Sequence, residues 1–306
     1  MLNHAFLIYA HAYSEQLKEI IGLLSSDNHY FFVNIDKKAK WGEEFMKKNR
    51  TDHIMFLEGK DRMEIAHGGY SQIEVTLRLL HKAYAFRPAG GGYCDYFHLL
   101  SGQDYPVRSN KEFDEFFEKN NGKSFMNFDS KEQCAEWRKK KYPSRIRPWY
   151  IQDLPHRDNK LIDFFVRGFD FISRKIWWRR LIPNVWGGWN WFTWHRKVAS
   201  YVINQEETNP KFFKRFHHTN CADELIFHTL LYPHLDELNI DIEHQGLRYI
   251  NWHKWVEGRR HLGSPLTLNE EEYDEIINSG AFFCRKIDPV VSKKLKEMLI
   301  ENVFIV

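Results

Sequence analysis

An α/β fold with a mostly parallel sheet flanked by helices is predicted by three features of the first hundred residues. They are apolar runs of strand length, helical patterns alternating with those runs, and turn residues between them. AFLIYAH, Ala5 to His11, reads as a buried strand, and SEQLKEIIGLLSS has the spacing of an amphipathic helix. HYFFVNID, His29 to Asp36, is the second strand, KKAKWGEEFMKKN a helix or ordered loop, and HIMFLE, His53 to Glu58, the third strand. A long helix is expected over 68–86, followed by a fourth strand, YFHLLSG, which ends in the turn QDYP.

The second half reads less regularly. Residues 130–185 are basic, contain proline and suggest an elaborated loop region with some helix, for example LIDFFVRGFDFISRKIWWRR. GGWNWFTWHRKVASYVI, Gly187 to Ile203, begins with glycines that permit close approach, continues with aromatics that suit a strand, and ends as a helix. LRYINW, Leu247 to Trp252, is a further strand. Without repeats, low-complexity tracts or a linker, the 306 residues are expected to form one domain.

Composition excludes several classes. With 43% hydrophobic and 28% charged residues the chain is an ordinary globule. No run approaches the roughly 20 apolar residues that span a bilayer, and MLNHAFLIYAHAYSEQ lacks the features of a signal peptide, so a cytoplasmic location is expected. Cys94, Cys134, Cys221 and Cys284 have no metal-binding spacing, and the 16 histidines form no HExxH pair, so no metal is expected. A net charge of +3 gives no reason to expect a nucleic-acid partner. The charge is uneven, however: WRKKKYPSRIRPWY places six Lys or Arg between Trp137 and Tyr150, and eight of the 11 tryptophans fall within 137–194. That segment reads either as a solvated basic loop beside a Trp-rich core or as a surface for anionic lipid, phosphate or stacked sugars or bases.

Two positions invite chemistry. In NCADELIFHTLL, residues 220–231, Asn220 is placed to cap a helix, and a helical wheel gathers Ile226, Phe227, Leu230 and Leu231 into one stripe. Asp223 falls inside that stripe and Glu224 at its edge, and an unpaired carboxylate is costly on an inward face. Asp36 ends the second strand, where it reads either as a turn acid or as one of the acids of parallel sheets that meet a nucleotide. Neither GxGxxG nor GxxxxGK[ST] is present, so any nucleotide is held by another arrangement.

Taken in order, AFLIYAH, FFVNIDKKA, HGGYSQIEVTLRLL, HLLSGQDYPV, GGWNWFTWHRKVASYV, DELIFHTLL, LRYINW and AFFCRKID resemble the core-2/I-branching β-1,6-N-acetylglucosaminyltransferase family, which includes the peptide O-xylosyltransferases. The resemblance implies a GT-A type fold with a nucleotide-sugar half at 1–125 and an acceptor and catalytic half at 126–306. It implies an inverting, metal-independent transferase that moves N-acetylglucosamine from UDP to a glycan hydroxyl without a cofactor, as in a short bacterial member. The alternatives are UDP-xylose or another UDP-hexose as donor, or a glycan-binding protein on the same fold.

By matching position, Glu224 is implied as the general base, Asp223 as an organiser or acceptor contact, and Trp252 and Trp191 as aromatics on the acceptor side. Asp36 and Asp104 are implied at the donor, with Lys286 and its neighbour Arg285 at the diphosphate. The arginine that assists Lys286 is left open among Arg248, Arg259 and Arg260. A lipid-linked acceptor in surface polysaccharide synthesis, reached by peripheral contact with the inner face of the membrane, completes the expectation.

Overall fold

The computed structural model describes residues 1–154, 159–176, 179–260 and 263–305. Four parallel strands, β1 (His4–Ala10), β2 (His29–Ile35), β3 (Ile54–Phe56) and β4 (Tyr96–Ser101), alternate with α1 (Ser14–Leu24), α2 (Gly42–Asn49) and α3 (Ser71–Ala85). Every residue of β2 is buried, as expected for a parallel strand covered on both faces.

After β4 come β5 (Tyr105–Pro106), α4 (Asn110–Lys119), β6 (Ser124–Met126), α5 (Lys131–Trp137), α6 (Lys141–Ile146) and α7 (Lys160–Ile176). They are followed by β7 (Phe192–His195), α8 (Arg196–Thr208), α9 (Pro210–Lys214), α10 (Ile226–Leu231), β8 (Ile240–Asp241), β9 (Arg248–Ile250), α11 (Tyr273–Asn278), β10 (Phe283–Arg285) and α12 (Lys293–Leu299).

The main sheet has seven strands in the order β3-β2-β1-β4-β7-β6-β8. β7 runs antiparallel to both β4 and β6, whereas β8 is parallel to β6, so the sheet is mixed, with one reversed strand. β5, β10 and β9 form a second sheet beside it. Alternate residues of β1 feed opposite layers. Ala5 and Leu7 pack with α3, α8 and α10, whereas Phe6 and Ile8 pack with α1, α4, α12 and the small sheet.

Local side-chain caps explain some helix starts. Ser109 and Glu112 form a reciprocal capping box at α4. At α3 the cap comes from far away, because Asp153 accepts from the amides of Tyr70 and Ser71 at 2.6 and 3.0 Å. The expected helix over 220–231 is not continuous. Cys221 adopts a left-handed conformation, Ala222–Glu224 form a single 3-10 turn, and α10 begins only at Ile226. Asn220 does not cap it: its Oδ1 accepts from Gln152 Nε2 at 2.6 Å.

Candidate active site

The carboxyl ends of β1, β2 and β4 and the residues after β10 lie close together. Asp104, in the turn after β4, is fully buried, and its Oδ2 accepts from the Ser101 amide at 2.8 Å, Ser101 Oγ at 2.6 Å and Arg285 Nη1 at 3.1 Å. Its Oδ1 lies 3.7 Å from Arg248 Nε. Arg248 donates to the carbonyls of Gly246 and Leu99 at 3.0 and 2.7 Å. Burial lowers its pKa to about 10, with Asp104 opposing the shift, so it stays charged at neutral pH.

Arg285 stacks its guanidinium over Trp191 at 3.9 Å, and Trp191 stacks in turn on Tyr9 of β1. Lys286 follows. Its ammonium has no hydrogen-bond or ion-pair partner among the described residues, and burial first, then Arg285, lowers its pKa. One carboxylate thus stands among three cations. Surplus positive charge around an amine already depressed by desolvation favours an incoming anion.

The acidic pair closes the other side. Asp223 is 8% exposed and its Oδ1 has no hydrogen-bond partner. Burial first, and the charge of Glu224 second, push its carboxyl up to about 7. The folded pKa lies above the unfolded one, so ionising Asp223 subtracts from stability. The loss is absent below the unfolded carboxylate range and complete once the pH passes about 7.

Glu224 is more open, with 37% of its side chain exposed, and Arg145 Nη1 donates to its Oε2 at 2.5 Å. The amide of Gly188 holds its carbonyl at 3.2 Å. Gly188 has to be glycine, because a Cβ there would stand 2.3 Å from the Asn127 carbonyl oxygen.

The two sides are neighbours. The Tyr9 phenol, raised mainly by burial, feels Arg285, Asp223 and Asp104 together and accepts from Asn190 Nδ2 at 3.3 Å. His67, lowered first by burial, feels both Lys286 and Glu224. His11, also lowered by burial, links Asp36 to Lys286. Asp36 sits at the end of β2 with Oδ1 and Oδ2 engaged by the amides of Lys38 and Ile65 at 2.8 and 3.0 Å. Contacts and electrostatic couplings thus connect Asp36, Asp104, Asp223, Glu224, Arg285, Lys286 and Trp191.

Trp191 lies against Arg285, on the side of the basic group. Trp252 stands in the loop after β9, half-buried, with its indole N–H unpartnered. Of the arginines left open, Arg259 pairs with Glu271 and Glu272. Arg260 donates to the carbonyls of Lys254 and Ser264. Arg248 is the one beside Arg285 and Asp104.

A family model for the Core-2/I-Branching enzyme matches residues 4–277. The chain belongs to the Core-2/I-Branching enzyme family. Among curated members this Core-2/I-Branching chain is similar to xylosyltransferase 2 of Rattus norvegicus, 24% identical over 98% of the chain. It is also similar to xylosyltransferase sqv-6 of Caenorhabditis elegans, 24% identical over 94% of the chain. It spans about a third of the length of these relatives, 33% and 35%. Mouse xyloside xylosyltransferase 1, a solved structure, covers 79% of the chain, and the chain covers 85% of it, at 8% identity and a TM-score of 0.34.

Two expectations need correction or extension. The expectation that no metal or cofactor is held is overturned by His4, His29 and Asp114, whose ligand atoms lie within 4.8 Å of one another, a set able to coordinate a metal ion. Sequence spacing could not show it, because the three residues meet only when β1, β2 and α4 pack. Arg145 belongs to the basic segment 137–150, and its role as the partner of Glu224 has no local signal in the sequence.

Proposed function

We propose that this chain is an inverting glycosyltransferase of GT-A type that moves a sugar from a UDP donor to a glycan hydroxyl. The observation that carries the reading is the pair of groups in one site: a half-exposed carboxylate held by an arginine, and an unpartnered ammonium beside Arg285. Displacement at an anomeric carbon needs a base on the attacking side and positive charge on the leaving side. Glu224 takes the acceptor proton through the oxygen that Arg145 does not hold, and Lys286 with Arg285 meets the charge on the departing diphosphate. Asp104 positions Arg285, Asp36 shapes the loop over the nucleoside, and Trp252 and Asp223 line the acceptor side.

N-acetylglucosamine is the donor sugar proposed from the family's name, and xylose is favoured by the names of the curated relatives. Thermal stabilisation and slow hydrolysis across a panel of UDP-sugars decide between them. A chain that responds to none of the panel is not a UDP-sugar transferase. Lys286→Ala is expected to weaken UDP binding about tenfold or more, as loss of one charge-assisted contact implies. Calorimetric titration measures this, and unchanged affinity would move the diphosphate role to Arg285.

We further propose a lipid-linked acceptor in surface polysaccharide synthesis and peripheral contact with the inner face of the cell membrane. Among the described residues no helix is long and apolar enough to cross a membrane. α7 supports the contact in another way. Leu161, Phe164, Phe165 and Ile172 are 73%, 74%, 75% and 49% exposed along one stripe, and Val166 and Ser173 face the protein. Lys160, Arg167, Arg174 and Lys175 lie on the same helix. A helix with an apolar outer face and basic residues suits an anionic bilayer surface. Trp177 and Trp178 of the Trp-rich segment lie outside the described residues. The chain is expected to float with phosphatidylglycerol vesicles at low salt, and a Phe164→Glu/Phe165→Glu variant to lose at least about tenfold in partitioning. Absence of wild-type flotation would dismiss the membrane contact.

A further inference from the structure

His4 opens β1 and His29 opens β2, at the amino ends of strands whose carboxyl ends carry Tyr9 and Asp36. Six residues of strand put roughly 20 Å between this pole and the candidate active site. Asp114, in the second turn of α4, reaches the same point.

The protons there are set by their neighbours. His29 Nδ1 lies 2.6 Å from the Leu24 carbonyl oxygen, and a carbonyl only accepts, so Nδ1 carries the proton and neutral His29 has a lone pair on Nε2. That lone pair faces Asp114 Oδ1 at 3.1 Å, and an ionised carboxylate also only accepts. His4 Nε2 is buried without a hydrogen-bond partner, 3.7 Å from the same oxygen.

A relay orients the His4 ring. Its Nδ1 is 3.0 Å from His98 Nε2, and His98 Nδ1 is 3.1 Å from Thr193 Oγ1. If His4 donates to His98 and His98 to Thr193, His4 Nε2 keeps a lone pair for a cation; in the reverse direction its N–H points at Asp114 Oδ1, 3.7 Å away. Phe6, Phe113 and Tyr96 pack around these rings. Two imidazole nitrogens and one carboxylate oxygen, which also accepts from Asn28 Nδ2 at 3.0 Å, therefore converge in a largely apolar pocket, an arrangement that a cation among them would favour.

We propose that His4 Nε2, His29 Nε2 and Asp114 Oδ1 form a zinc site, with water completing the coordination from the side where Asp114 is exposed. Two imidazoles and one carboxylate suit zinc better than magnesium or calcium, which prefer all-oxygen shells. Tetrahedral bonds of about 2.0–2.1 Å hold ligand atoms roughly 3.3 Å apart. The two separations from Asp114, 3.1 and 3.7 Å, bracket that value. The Leu24 carbonyl and His98 are the outer partners that fix the orientation of ligand imidazoles. The ion pins α4 to the starts of β1 and β2, so it acts on stability, at the pole away from the candidate active site. The competing occupant is a proton, which would make His29 an imidazolium paired with Asp114.

The test uses the full chain, stripped with chelator and titrated with zinc sulfate alone. One equivalent is expected to bind at submicromolar Kd, and Tm to rise by several degrees with excess zinc. His29→Gln and Asp114→Asn are each expected to weaken binding at least about a hundredfold and to abolish the Tm response. Cobalt loading of the wild-type chain, which needs no variant to fold, is expected to give the intense visible absorption of a four-coordinate ion. No zinc response in the wild type, equal binding in both variants, or the weak spectrum of six-coordinate cobalt would each overturn the site.

Discussion

Glu224→Gln is expected to lower kcat by about a hundredfold or more while leaving the fold and UDP binding in place, the usual scale for loss of a general base. The substitution keeps the shape and an oxygen able to accept from Arg145 Nη1, which now bonds Oε2. It removes the capacity to take a proton. The competing base is Asp223, whose carboxyl is raised by burial and by Glu224 and whose Oδ1 lacks a partner. Access separates the two: Asp223 is 8% exposed, whereas 37% of the Glu224 side chain is open.

Initial rates with saturating donor, measured beside Asp223→Asn, decide the matter. Turnover of Glu224→Gln within tenfold of wild type, or a larger loss in Asp223→Asn, would hand the proton to Asp223. Circular dichroism and UDP titration on both variants keep a folding defect from being read as lost chemistry.

The strands of the first hundred residues were legible because parallel strands buried on two faces are written as unbroken apolar runs, HAFLIYA and HYFFVNI among them. The reversal of β7 was not, since FTWH carries no mark of direction and pairs with β4 and β6 only after distant packing. Asp223 was legible on the helical wheel even though the helix breaks at Leu225, because one turn of 3-10 geometry still turns it inward. Asn220 misled: as a cap it is plausible locally, and only the approach of Gln152 diverts its oxygen. Arg145, His4, His29 and Asp114 share a different limit. Their partners lie 79, 94, 85 and 86 residues away, beyond any local pattern.

Asp104→Asn is expected to cost about 3–5 kcal/mol, the scale for removing one partner of a buried ion pair. Asp104 is fully buried, with Arg285 Nη1 at 3.1 Å and Arg248 Nε at 3.7 Å. Asparagine can still accept from Ser101, so the turn survives. What disappears is the only carboxylate facing either guanidinium at this point, among the described residues, leaving two like charges together in a medium that stabilises neither. For a chain of this size the loss should appear as a fall in Tm on the order of 10 °C. Arg285→Met in the same background should recover part of it, because one uncompensated charge is then gone and Arg248 retains its carbonyl partners. A fall of under a degree in Asp104→Asn would mean that water or an anion already balances the arginines. A double variant no better than the single would place the whole cost in the Ser101 turn.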